Sequence, residues 1–266
     1  MGRSRGTWNT KGTWVAGGAL AAVLALTGYV ALSGGDDGGG APAGKGGASA
    51  SVSAPPGPSA TYAPPEDWTE PERWAALPRG MRTDGHGSQV GFPESAEGAV
   101  AMMLAANTTA IDAEKSNVDE QLRIYRSYIG SADQSATNAE QIELNAIQSD
   151  KALAKEMGVG AGQPLPAGAY LRSTVVGYKI IKTSGTEVSA WLLARVVQKN
   201  GEMAKESGSY TRTLAGAQWE DGDWKLTGDA TARAQQDVQG QAQPQIVAPG
   251  DPEFNASGWT AIREAS

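Results

Sequence analysis

Apolar positions recur at helical spacing through the middle of the chain. Ala96, Val100 and Leu104 form one stripe, with Ala99 and Met103 beside it, which predicts a helix starting near Pro93–Ser95. Val118, Leu122, Tyr125 and Ile129 mark a second helix. Leu144, Ile147, Ala154 and Met157 mark a third, with Gly158 as its stop. Ser116-x-x-Asp119 and Thr137-x-x-Glu140 fit the capping box that satisfies the first free amides of a helix. The pattern changes after Pro166. Tyr170–Lys182, Glu187–Lys199, Gly208–Trp219 and Asp223–Asp229 are rich in Val, Ile, Thr, Tyr and Trp, with partial period-two alternation. Ser184-Gly185, Asn200-Gly201 and Asp221-Gly222 separate them as turns. The expected fold class is α+β: three N-terminal helices packed on a curved antiparallel sheet of about four strands.

Two stretches break this pattern on the N-terminal side. Val15–Ser33 carries no charge over a length that spans a hydrocarbon core, which predicts a transmembrane helix. Arg3, Arg5 and Lys11 precede it and Asp36 and Asp37 follow, so the expected topology is single-pass in the cell membrane. The N-terminus is then cytoplasmic and the C-terminal domain extracellular. Ala31-Leu32-Ser33 also has the form of a signal-peptidase site, which leaves a cleaved signal as the alternative. Gly34–Pro65 is almost entirely Gly, Ala, Pro and Ser, a composition that buries no core and predicts a disordered linker. The expected division is a basic segment at 1–14, the membrane helix at 15–33, the linker at 34–67, an α+β domain at 68–243 and a tail at 244–266. Asp67–Phe92 reads as an irregular arm whose Trp68 and Trp74 dock on the domain, and Trp259 and Ile262 are placed to dock from the tail.

Composition narrows the chemistry. The formal net charge is −7, which argues against binding nucleic acid through phosphate neutralisation. The chain has no Cys and one His, which removes thiol nucleophiles, Cys-based zinc sites and multi-His metal sites.

Three helices followed by four strands, closed by the hairpin Trp219-Glu220-Asp221-Gly222-Asp223-Trp224, resemble the nuclear-transport-factor-2-like (cystatin-like) cone fold over Gly91–Asp229. The phrase Gly91-Phe92-Pro93-Glu94-Ser95-Ala96-Glu97-Gly98-Ala99-Val100 resembles the opening of an uncharacterised membrane-anchored group of high-GC Gram-positive bacteria. The basic start, anchor, linker and cone domain together resemble the assembly-scaffold subunits of conjugative type IV secretion systems. That resemblance implies a non-enzymatic protein that docks other proteins, with self-association among its options. It brings no catalytic, cofactor-binding or metal residue, and no cofactor.

Candidate chemistry on the residues themselves is sparse. His86, in Asp84-Gly85-His86-Gly87, is a lone loop histidine. Asp221-Gly222-Asp223 has the start of a calcium loop but lacks the further acids one needs, and a tight hairpin accounts for it. Tyr170, Tyr178, Tyr210, Arg172, Arg195, Arg212 and Trp191 lie on predicted strands, where some of them are placed to line a concave pocket or to occupy a solvated face. Glu187, Glu220 and Asp229 sit at strand ends. Asn107-Thr108-Thr109 and Asn255-Ala256-Ser257 match the glycosylation sequon. The leading expectation is a protein-docking scaffold of a conjugation or secretion-type complex. The alternatives are a small-ligand-binding or enzymatic cone domain, and a passive wall-associated domain.

Overall fold

The computed structural model describes residues 68–160 and 162–263. Its centre is three long antiparallel strands, β5 (Ala169–Thr183), β6 (Glu187–Asn200) and β7 (Ser207–Glu220). Around them lie β1 (Trp74–Ala76), β4 (Thr109–Ile111), β8 (Asp223–Leu226) and β9 (Thr260–Arg263). A separate two-stranded ribbon pairs β2 (Arg82–Thr83) with β3 (Gln89–Val90). The helices are α1 (Ala96–Asn107), α2 (Asn117–Tyr128), α3 (Ala136–Glu156), α4 (Gly228–Asp237) and α5 (Pro252–Ala256).

The expected four-strand antiparallel sheet is corrected by this arrangement. The sheet has seven strands in the order β1-β9-β5-β6-β7-β8, with β4 also on β5, and it is mixed because β1 and β9 run parallel. β1, β4 and β9 are only three or four residues long, too short to show a period-two signal. The arm before Phe92 therefore contributes strand β1 as well as docked tryptophans. The expected transmembrane helix, single-pass topology and cell-membrane localisation are also without support. No helix among the described residues is long and apolar enough to cross a membrane, and the span at Val15–Ser33 lies outside those residues.

Helix ends follow local chemistry. Ser95 accepts the Gly98 N–H and starts α1. Ser116 and Asp119 form a reciprocal capping box at α2. At α3 the cap is Ser135, which accepts the Asn138 N–H, two residues before the expected Thr137. Its far end closes on Gly158 at φ 76, with Val159 N–H bonded to Ala154 O and Gly158 N–H to Lys155 O.

Helices α1, α2 and α3 cover one side of the sheet, the near face. Ala99, Val100 and Met103 of α1 pack with Ala190, Leu192, Ala215 and Trp224. α2 buries Glu120, Gln121, Ile124 and Tyr128 as well as Tyr125, while Leu122 is only partly covered. Leu144 of α3 is exposed, and Ile142, Ala146 and Leu153 face inward instead. The far face is covered by α4, whose Ala230 sits over Gly216, and by the chain after it, where Phe254 and Trp259 pack on Trp191, Leu193 and Ala261.

Candidate functional site

The hairpin acids are structural. Asp221 (φ 50) and Gly222 (φ 80) make the two-residue turn, Trp219 lies opposite Trp224, and the two rings meet edge to face at 5.3 Å. Asp223 turns inward. Its carboxylate accepts the N–H groups of Gly91 (3.0 Å) and Phe92 (3.1 Å) and faces Lys225 at 3.5 Å. Asp223 therefore ties the entry of α1 to β8. Glu220 accepts from Ser131 N–H, Glu187 pairs with Arg233 at 2.7 Å, and Asp229 is exposed at the start of α4.

His86 is exposed at the tip of the β2–β3 ribbon, and its backbone N–H donates to Asp84 Oδ1. Burial pushes the Asp84 carboxyl up, but the adjacent Ser127 hydroxyl and the Ser88 and His86 amides outweigh it and leave the group below the usual carboxylate range. Below this ribbon lies a buried polar cluster. Glu120 is 1% exposed and is flanked by Arg123 at 2.8 Å and by Lys115. Arg123 also donates to Ser88 Oγ (2.8 Å) and to the Thr108 carbonyl (3.3 Å), and Tyr128 donates to the Gln89 carbonyl. The cluster pins the ribbon onto α2. Asn107 is buried, its amide bonded to the Met103 carbonyl, and Asn255 bonds the Glu70 carbonyl.

The strand-borne Tyr and Arg residues fall mostly on the far face. Tyr170, Arg172, Arg195, Tyr210, Arg212 and Trp191 share it, while Tyr178 lies in the near-face core. Arg172 stacks on Tyr170 at 4.4 Å, Tyr170 bonds Glu206, and Arg195 sits 3.8 Å from Glu206. Arg212 lies over the Trp191 ring at 5.2 Å and donates to the Pro244 carbonyl and Gln243. Burial pushes the Tyr210 hydroxyl up and the Arg212 guanidinium down. The clusters bind the C-terminal strap and the β6–β7 loop. A groove of about 320 Å³ runs beside them, lined by Lys179, Lys182, Trp191, Asp237 and Gln243. Its charges are matched internally: Lys182 faces Asp237 at 3.2 Å, and Lys179 donates to the Ser257 carbonyl. Among the described residues no group of three or more His, Cys, Asp or Glu side chains is placed to hold a metal ion.

The most distinctive unfilled feature is backbone. β7 pairs with β6 along an unbroken register from Ser207 to Gln218, but β8 covers its other edge only from Ala217 onward. Gly216 donates its N–H to the Thr231 hydroxyl and accepts the Thr227 N–H, so both groups point away from β6. Strand alternation then points the N–H and C=O of Gly208, Tyr210, Arg212 and Leu214 outward too. Among the described residues these groups have no hydrogen-bond partner. The run contains no proline, and Arg212 is its single charge. Its near-face neighbours are hydroxyls: Ser209, Thr211 and Thr213. The Oγ of Ser209 and the Oγ1 of Thr211 are buried without a partner. Ser209 continues a row through Val196 and Ser173 to Thr109, and those last two hydroxyls are likewise buried and unpartnered. An edge of this kind can accept a further strand, with main-chain bonds giving affinity and flanking side chains giving selectivity. The sequence marks β7 as a strand but carries no signal that it is an edge, because that depends on where β8 stops.

Comparison of the chain with protein-family models, with curated proteins and with solved structures returned no match.

Proposed function

We propose that this domain is a non-enzymatic protein-docking module whose docking element is the outer edge of β7. The observation that supports it is the open run Gly208–Leu214. Natural sheets blunt such edges with prolines, bulges, inward charges or covering loops, because an unblunted edge recruits other strands. Here no proline or bulge interrupts the run, and its one charge, Arg212, is turned onto Trp191 and the C-terminal strap. On the opposite edge, β4 and β9 cover Leu171–Ser173 and Gly177–Tyr178 of β5, and the charges of the far-face groove are matched by this chain's own groups. The wider reading, in which the partner belongs to a conjugation or export assembly, rests on the sequence resemblance alone.

The test is Tyr210→Pro in the full chain. Proline at this position removes an outward N–H and leaves the ladder to β6 intact. The variant should melt within a few degrees of Tyr210→Ala and lose the proteins that co-purify with the wild type from native cells. A folded variant that retains the same co-purifying proteins would sink the docking reading.

A further inference from the structure

The open edge is self-complementary, and we propose that its occupant is a second copy of this chain, added antiparallel across a two-fold axis at Thr211. This inference rests on the docking reading above and names the partner.

Parity limits the registers. Outward backbone groups belong to Gly208, Tyr210, Arg212 and Leu214, and an antiparallel pair bonds only where outward residues face outward residues. The open run is bounded at one end by the β6–β7 loop and at the other by Gly216, whose outward groups are already bonded to the α4 start. Its midpoint is Thr211. Centring the pair there sets Gly208 against the partner's Leu214 and Tyr210 against the partner's Arg212. Every outward group is then matched, giving about eight main-chain hydrogen bonds. Shifting the centre to Arg212 sets two guanidiniums directly opposite one another, which is repulsive. Shifting it to Tyr210 leaves Leu214 unpaired.

Side chains agree with the same register on both faces. On the far face, Tyr210 lies across from the partner's Arg212 on each side of the axis, with each guanidinium kept over its own chain's Trp191 and bonded to its own C-terminal strap. On the near face, Thr211 meets the partner's Thr211, and Ser209 meets the partner's Thr213. Cross-strand Thr–Thr and Ser–Thr pairs of this kind are favourable. The product is one continuous sheet running through both copies, with neither β7 edge left open.

The chain has no cysteine, so a single engineered thiol reports without background. At the axis Thr211 occupies a non-hydrogen-bonded pair, with Cα atoms about 4.5 Å apart, inside the disulfide range. Thr211→Cys in the full chain should form a disulfide-linked dimer on mild oxidation. Tyr210→Cys should not, because the two copies of that residue lie on a diagonal about 7–8 Å apart. Sedimentation of the unmodified chain over a concentration series should give twice the 27.4 kDa chain mass. Tyr210→Pro should weaken that association at least about tenfold. A wild type that stays monomeric and a Thr211→Cys variant that stays unlinked overturn the self-pairing. If Tyr210→Pro still abolishes capture of a different protein, the docking reading survives that loss; if it changes nothing, both fall. Should the cysteine variant fail to fold, the wild-type mass and its response to Tyr210→Pro decide the matter.

Discussion

The two outer edges of the β5–β6–β7 core are treated in opposite ways. Along β5, β4 covers Leu171–Ser173 and β9 covers Gly177–Tyr178, and β1 then extends the sheet beyond β9. These short strands come from sequence positions as far apart as Trp74 and Arg263. Along β7, the hairpin strand β8 covers Ala217–Glu220 and stops. One edge is closed over Leu171–Ser173 and Gly177–Tyr178 by recruiting distant segments at the cost of their chain entropy. The other stays open over a run that carries little charge. An edge that the fold closes with its own distant strands contributes to stability, and an edge left open is available to a partner.

The largest loss is expected on the closed side. Trp259 is 1% exposed, packs with Phe254 and Trp191, and donates its ring N–H to the Gln245 carbonyl at 2.8 Å. It directly precedes β9. Trp259→Ala should cost about 3–5 kcal/mol in chemical denaturation, and β9 amide protection should fall with it. A loss below about 1 kcal/mol would mean that the strap and β9 are not integral to the domain.

Next come the two contacts that end the coverage of β7. A Cβ at Gly216 would lie 2.3 Å from the Ala230 carbonyl carbon, so Gly216→Ala forces α4 away from the sheet. Its expected cost is about 3 kcal/mol. Asp223→Ala leaves the Gly91 and Phe92 amides unpartnered in a buried site and should cost about 2–4 kcal/mol, with Asp223→Asn between it and the wild type. Thermal unfolding of the three variants checks both. If Asp223→Ala melts with the wild type, the clamp on the α1 entry is not a stabilising contact.

How much of this is legible in the sequence depends on distance along the chain. Ser116 and Asp119, three residues apart, announce the start of α2, and Asp221-Gly222 announces the hairpin. Glu120 carries no local sign of burial, yet it is buried, because the partly buried Arg123 on its own helix pairs with it and the exposed Lys115 reaches it from the solvent side. β1 on β9 pairs Trp74 with Ala261, a contact that no local pattern encodes. The open edge is hidden for a related reason. In the sequence Tyr210 and Arg212 stand out as side chains for a pocket. Their distinguishing property is instead the direction of their backbone groups, which period-two alternation reveals only once the neighbouring strand is known to end.

On the open side, loss of an outward amide should cost little stability. Tyr210→Pro removes no β6–β7 hydrogen bond, so its cost should match within about 1 kcal/mol that of Tyr210→Ala, which loses the same partly buried ring. This is the sharpest contrast with Trp259→Ala. A loss exceeding that of Tyr210→Ala by about 3 kcal/mol would show that its outward N–H is already bonded within the chain, and the two edges would then not differ.

The smallest expected effect is an acid-dependent one at α2, the helix that packs over β4 on the closed side. The Asp119 carboxyl is held below its usual range by the Ser116 hydroxyl first, and by the Ser116 amide after it. Its folded value is therefore depressed relative to the unfolded chain, near 3.9. The stabilisation it brings is fully present above that unfolded value and is lost as pH falls through the folded one. Asp119 is exposed, so solvent screening keeps the contribution small. Asp119→Ala should cost about 0.5 kcal/mol at neutral pH, the low end for a helix cap. The gap between wild type and variant should narrow steadily below about pH 4. Urea denaturation of both proteins at about pH 7 and about pH 3 measures it. A gap that stays constant would mean that Asp119 acts through packing or helix propensity rather than through its ionised bond to Ser116. A gap that widens in acid would reverse the sign of the linkage and require the carboxyl to be raised in the fold.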